Sequence, residues 1–165
     1  MIEFAMINIK RAFEYMKRIE QLHSLSKEHH LSLVLASKSI KVAKNASAEE
    51  IKQLCREISS DFDKRWEAHF AKEELSIFTV FEDKYQSQLI VDANEDAELT
   101  ELLRKQHDQM RSMSAEMAGG RIDQLAEFGC LLRDHTRLEE RRLFPLISEL
   151  FDKQELDFVA STTRD

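Results

Sequence analysis

The residues of this chain best suited to chemistry are histidines and glutamates set at a repeated interval. In "HFAKEE" His69 stands four residues before Glu73, with Glu74 next; in "HTRLEE" His135 stands four before Glu139, with Glu140 next. On a helix, residues four apart project from one face, one turn apart. An imidazole nitrogen and a carboxylate oxygen so placed reach one metal ion, or two adjacent ions. One such pair arises often by chance on a charged helix, where its histidine is merely solvated or hydrogen-bonded. Two pairs gain meaning only if the fold brings them to one place.

The elements that would do so are helices. Three glycines and one proline in 165 residues are too few for strands joined by tight turns, so the expected fold class is all-α. Leu22, Leu25, His29, Leu33, Ala36 and Ile40 follow steps of three and four and predict a helix over about 20–44. Ser47 with Glu50 is a capping box, opening a second helix that turns Ile51, Leu54, Ile58, Phe62, Trp66, His69, Glu73, Ile77 and Val80 inward and ends near Lys84. Residues 85–95 read as a polar connection. A third helix, about 96–117, carries Leu99, Leu103, His107, Met110 and Met117 on one stripe, and Gly119-Gly120 breaks it.

The fourth helix, from about Ile122, holds Leu131, His135, Leu138, Glu139, Leu143, Leu146 and Ile147, with Pro145 expected to kink or restart it. Ile7–Tyr15 reads either as a short extra helix or as the start of the first long one, and a short C-terminal helix is expected after the Asp152/Glu155 capping signal, to near Val159. Four long helices with short connections predict an antiparallel up-and-down four-helix bundle, a single domain over 1–165 with its core at about 20–151.

In such a bundle the four inward histidines converge. The midpoints between His69–Glu73 and His107, and between His107 and His135–Glu139, fall in or beside the expected connections. In the first hairpin the midpoint lies a few residues past the turn, a modest mismatch at ~1.5 Å per residue. Buried histidines and carboxylates are costly unless paired or ligating. Four histidines with Glu73 and Glu139 make N/O ligands for two transition metals that the carboxylates can bridge; iron, zinc or manganese suits such a set. His29 shares the stripe of Leu25, Leu33 and Ala36 and is the preferred first-helix ligand, with His30, turned ~100° away, as the alternative. His23 is expected at the surface, and Glu74 and Glu140 outward or as acceptors for a ligand imidazole. Met110, Met113 and Met117 read as core filler.

"HFAKEE" and "HTRLEERRLFP", with "LSKEHH" (25–30) and "LRKQHDQM" (103–110), resemble the motifs of the hemerythrin family in its broad HHE cation-binding group, in the family's order and over about residues 20–151. The resemblance implies a four-helix bundle holding a non-haem di-iron centre: His69, His107, His135 and one of His29 or His30 as ligands, Glu73 and Glu139 bridging two iron ions. It also implies binding or sensing of a small diatomic ligand, oxygen or nitric oxide, or of iron or redox state. Oxygen carriers of the family have a further histidine where this chain has Leu103, and an aspartate five after the last histidine, where Glu140 stands. The set here is more similar to the iron-centre-repair and iron-sensing branches, which makes iron handling or peroxide detoxification the alternative.

A net charge of −7 with interspersed signs argues against a nucleic-acid partner. No apolar run approaches the ~20 residues of a membrane span. The first twenty residues lack the apolar stretch of a secretory signal, and Cys55 and Cys130 are isolated thiols, so a cytoplasmic location is expected. A binding role, rather than an enzymatic one, is the expectation.

Overall fold

A computed structural model of the chain describes residues 20–86 and 98–163. Among the described residues there is helix and no strand. A 3-10 turn, Glu20–Leu22, leads into α1, His23–Asn45. Helix α2 spans 48–86 without a break but changes its winding: α-helical Ala48–Phe62, π-helical Asp63–Glu67, α-helical Ala68–Lys72, π-helical Glu73–Phe78 and α-helical Thr79–Gln86. Helix α3 is Leu99–Ala118. After a 3-10 turn at Ile122–Gln124, α4 spans 125–150 as α-helical Leu125–Leu138, π-helical Glu139–Leu143 and α-helical Phe144–Leu150. Helix α5, Lys153–Thr163, follows at once.

The ends obey local chemistry. Ser47 caps α2 by accepting from the Glu50 backbone N–H, while the Glu50 carboxylate accepts from the Ser47 N–H at 2.8 Å. Gly120 takes φ 98°, the left-handed conformation glycine tolerates, just past the end of α3. Asp152 Oδ1 accepts from the N–H of Gln154 and of Glu155, starting α5, which runs on to Thr163 rather than stopping near Val159. The helical path is unbroken at Pro145, but α-helical winding restarts there after the π turn. Pro145 stands second in the stretch that follows the π turn, where a missing N–H is tolerated. The expected helix over 7–15 and the connection at 87–95 lie outside the described residues, although Tyr85 and Gln86 still belong to α2.

Neighbouring helices run in opposite directions. Contacts between α2 and α3 pair Ser59 with Ser114, Glu67 with Arg111, Glu74 with His107 and Glu82 with Arg104, one number falling as the other rises. Between α1 and α2 the pairs are Lys38–Glu57 and Glu28–His69. Helix α4 closes on α1 through a seam of small residues. A Cβ on Gly129 would stand 2.9 Å from both the Ala36 carbonyl oxygen and Ser39 Cβ. That close approach explains why Ser32, Ala36 and Ser39 are buried while Leu33 and Ile40, expected inward, are only half-buried.

The core is divided. One apolar cluster holds Leu54, Ile58, Phe62, Trp66, Phe70, Met110, Met113, Met117, Leu125, Phe128 and Leu132. The other holds Leu22, Leu25, Ile77, Phe78, Phe81, Leu99, Leu103, Leu143, Phe144 and Ile147. On α1, α3 and α4 the buried histidines and glutamates fall between the two, and on α2 they begin at His69, beside Phe70 at the edge of the first. Among the described residues no helix is long and apolar enough to cross a membrane.

Candidate metal centre

The polar belt is built from one histidine on each of α1 to α4 plus two glutamates. His29 comes from α1, His69 and Glu73 from α2, His107 from α3, and His135 and Glu139 from α4; all are buried, the two carboxylates at 0 % exposure. Every histidine presents Nε2 to the interior. Glu73 Oε1 lies 3.3 Å from His29 Nε2 and 3.2 Å from His69 Nε2, while Glu73 Oε2 lies 3.5 Å from His107 Nε2. Glu139 Oε2 lies 3.3 Å from His29 Nε2 and 3.3 Å from His135 Nε2. The belt thus divides into two four-residue groups, His29–His69–Glu73–Glu139 and Glu73–His107–His135–Glu139, whose ligand atoms lie within 4.8 Å of one another. Both groups share both carboxylates.

The helices change their winding beside the belt residues. Residue 69 is farther from the α1–α2 turn than residue 29 is, yet the two are level. The π stretch Asp63–Glu67 lies on that longer arm, and its i→i+5 bonding packs more residues into a turn. Glu73 and Glu139 each open a further π stretch, Glu73–Phe78 and Glu139–Leu143. Such insertions recur at functional sites because they re-aim side chains within a helix.

Each imidazole is held from behind through Nδ1 by a residue of the preceding helix in the ring. Glu28 of α1 meets His69 at 2.7 Å, and Glu74 of α2 meets His107 at 2.7 Å. Gln106 of α3 meets His135 at 2.9 Å, and Glu140 of α4 meets His29 at 3.0 Å. Every one of these acceptors is the sequence neighbour of a belt residue. It precedes the ligand on α1 and α3 and follows it on α2 and α4, because reversing the chain direction exchanges the two flanks of a helix. Accepting from Nδ1–H leaves the Nε2 lone pair pointing inward, as metal ligation requires. Aromatic rings complete the walls: Phe70 stacks on His107 at 3.9 Å with Phe78 on its other neighbour position at 5.7 Å, and Phe144 stacks on His29 at 5.0 Å.

Crowding of charge sets the protonation states. Burial works against a proton on His107, yet the Glu73 and Glu74 carboxylates prevail and raise its pKa to about 9. His29 is likewise raised, burial being overcome by Glu139, Glu140 and Glu73. Burial, and then the charge of His107, holds His135 well below the ordinary histidine range. Glu73 is depressed because His69, His107 and His29 outweigh its desolvation, whereas Glu139 is raised by burial and by the Glu73 charge. In the metal-free chain a proton on His107 supplies part of the positive charge that the carboxylates need.

Protons do not satisfy the site completely. Glu73 Oε2 and both oxygens of Glu139 are buried without a hydrogen bond. Buried carboxylate oxygens left so are expensive unless a cation takes them. The residues therefore fit a metal, and imidazole with carboxylate suits iron, zinc or manganese. Neither cysteine joins the two groups.

His30 is exposed and joins neither group; it lies ~100° around α1 from His29, which places it on the solvent side. His23 is also exposed, and Met110, Met113 and Met117 lie in the apolar cluster. Glu74 and Glu140 act as acceptors, one of the two roles expected of them. The acceptor roles of Glu28 and Gln106 are not assigned by the sequence reading. Their signal is adjacency to a ligand, which becomes informative only once the ring of helices is known.

Comparison with curated proteins and with solved structures gives no match. A protein-family model does match, the hemerythrin HHE cation-binding domain, over residues 10–147. Spanning most of the sequence and all six residues of the buried histidine–glutamate belt, that match establishes that the chain belongs to the hemerythrin HHE cation-binding family.

Proposed function

We propose that this single-domain chain holds two metal ions, iron in the first instance, and uses them to bind or sense a small diatomic ligand, oxygen or nitric oxide. The observation that carries the reading is the pair of overlapping groups that share Glu73 and Glu139. His29 and His69 would hold one ion, His107 and His135 the other, with both carboxylates between them. When bound, such a pair supplies redox-active Lewis acids with coordination positions that six protein side chains cannot fill.

The chain's own residues do the rest. Glu28, Glu74 and Glu140 fix the tautomers of His69, His107 and His29, and Gln106 accepts from His135. Phe70, Phe78 and Phe144 exclude water, and Leu103, fully buried one turn before His107, keeps that flank apolar. Apolar walls favour an uncharged diatomic over water or anions. The alternative, iron handling in centre repair or peroxide disposal, draws on the same residues. It would show as iron loss to a chelator or as peroxide turnover rather than as a stable ligand complex.

Metal analysis of iron-supplied protein should find about two irons per chain. His69→Ala and His135→Ala should each lose retention strongly, while His23→Ala keeps it. One tightly held zinc with no second metal, or equal loss in all three variants, would defeat the reading.

A further inference from the structure

The ring of acceptors behind the histidines is chemically uneven, and the unevenness falls along the division between the two four-residue groups. In the His29–His69 group both imidazoles rest on carboxylates, Glu140 and Glu28. In the His107–His135 group one rests on Glu74 and the other on the amide of Gln106. We infer that the two metal positions are inequivalent, the His29–His69 position binding first and more tightly, and that Gln106 behind His135 sets the weakness of the other. This inference rests on the two-metal reading proposed above.

Three features of the geometry act in the same direction. First, a carboxylate only accepts, so it permits only the tautomer with the proton on Nδ1 and the lone pair on the inward Nε2. An amide both accepts and donates, and turning it over would leave His135 with the proton on Nε2, unable to ligate. Second, that alternative has a ready partner, because His107 Nε2 and His135 Nε2 lie 3.1 Å apart. A hydrogen bond between them must be given up before a metal can enter. In the other group His29 Nε2 hydrogen-bonds Glu73 Oε1 at 3.3 Å and His69 Nε2 faces the same oxygen at 3.2 Å, so the partner there is a carboxylate of the site itself rather than a competing imidazole.

Third, the electrostatics differ. Among the described residues Glu74 contacts two guanidinium groups, Arg111 at 3.2 Å and Arg104 at 3.7 Å, and Glu28 contacts the ammonium of Lys72 at 3.2 Å. Positive charge behind the site repels the incoming cation. Partners of this kind change metal affinity by about 10–100-fold.

The test is an anaerobic calorimetric titration of the metal-free full chain with ferrous iron alone, with bound metal counted independently. Two steps separated by at least about tenfold are expected. His69→Ala should remove the tighter step and His135→Ala the weaker one. Gln106→Glu should strengthen the weaker step by about 10–100-fold and bring the two together; Gln106→Ala should weaken it further, and Glu28→Gln should weaken the tighter step alone. A thermal melt of each metal-free variant separates misfolding from altered binding. Two equal steps in the unmodified chain, or a ratio that Gln106→Glu and Glu28→Gln both leave unchanged in folded protein, would overturn the inference while leaving the two-metal reading standing. Fewer than two metals in the unmodified chain would sink that reading itself, and this one with it.

Discussion

The apolar cluster around Phe128 and the polar belt around Glu139 lie three helical turns apart on α4 and obey opposite economies. In the cluster, Phe128, Leu125 and Leu132 meet Phe62, Phe70 and Met110, and every buried atom gains from leaving water. In the belt, six titratable side chains leave water together, and two carboxylate groups end with oxygens that no hydrogen bond satisfies. Folding is supported by the first region and burdened by the second, which is retained for what it can bind. Substitutions should therefore separate the two regions cleanly.

The largest effect should come from Phe128→Ala, which removes a fully buried ring and should cost about 3–5 kcal/mol. Chemical denaturation should show the loss equally in metal-free and metal-loaded protein, with iron stoichiometry unchanged in the folded fraction. A loss confined to the loaded form would mean that cluster and belt are not independent.

Glu139→Leu should do the reverse. It removes a carboxylate raised by burial and by the Glu73 charge but also takes a partner from His29, so the two effects oppose and the metal-free protein should change far less than in Phe128→Ala. Iron retention should collapse in the same variant. A metal-free variant as destabilised as Phe128→Ala would show that Glu139 supports the fold in its own right.

Gly129→Ala should cost about 1–3 kcal/mol, because its new methyl group meets the Ala36 backbone and Ser39 Cβ at 2.9 Å where α1 and α4 are closest. The change should be visible as a lower melting temperature in both forms. If α1 slides to relieve the clash, His29 moves with it, and weakened iron binding would report the coupling.

The smallest effect is a pH dependence confined to the belt. In metal-free protein His107 has its pKa raised to about 9 by Glu73 and Glu74 despite burial. That contribution to stability is complete below the unfolded value near 6.5 and fades as pH rises through 9. Metal must displace that proton, so binding strengthens over the same window. The gap in melting temperature between loaded and metal-free protein should widen from pH 6.5 to 9 and shrink toward 5.5. A gap independent of pH would mean that metal does not compete for these imidazoles.

Much of this was legible along the chain. Steps of three and four on Leu25, His29 and Ala36, or on Leu99, Leu103, His107 and Met110, state which face of a helix turns inward, and Ser47 with Glu50 states where one starts. The four-residue interval of His69–Glu73 and His135–Glu139 puts ligand pairs on one face by helical geometry alone. The departures are instructive. Leu33, Ile40 and Leu131 give way to Ser32, Ser39 and Leu132 where Gly129 lets two backbones approach, and helix periodicity cannot foresee how closely its partner will come.

Local sequence determined the helices, their caps and the inward placement of six metal-capable side chains, because these depend on spacings of three or four residues and on single turns. Tertiary structure decided the rest. It placed Glu73 and Glu139 at the starts of π turns, which re-aim side chains within a helix. It also paired Glu28 with His69 and Gln106 with His135, across separations that no short-range rule connects. Those pairings exist only when four helices close into a ring, since the flank of one helix acquires a meaning only from the helix packed beside it.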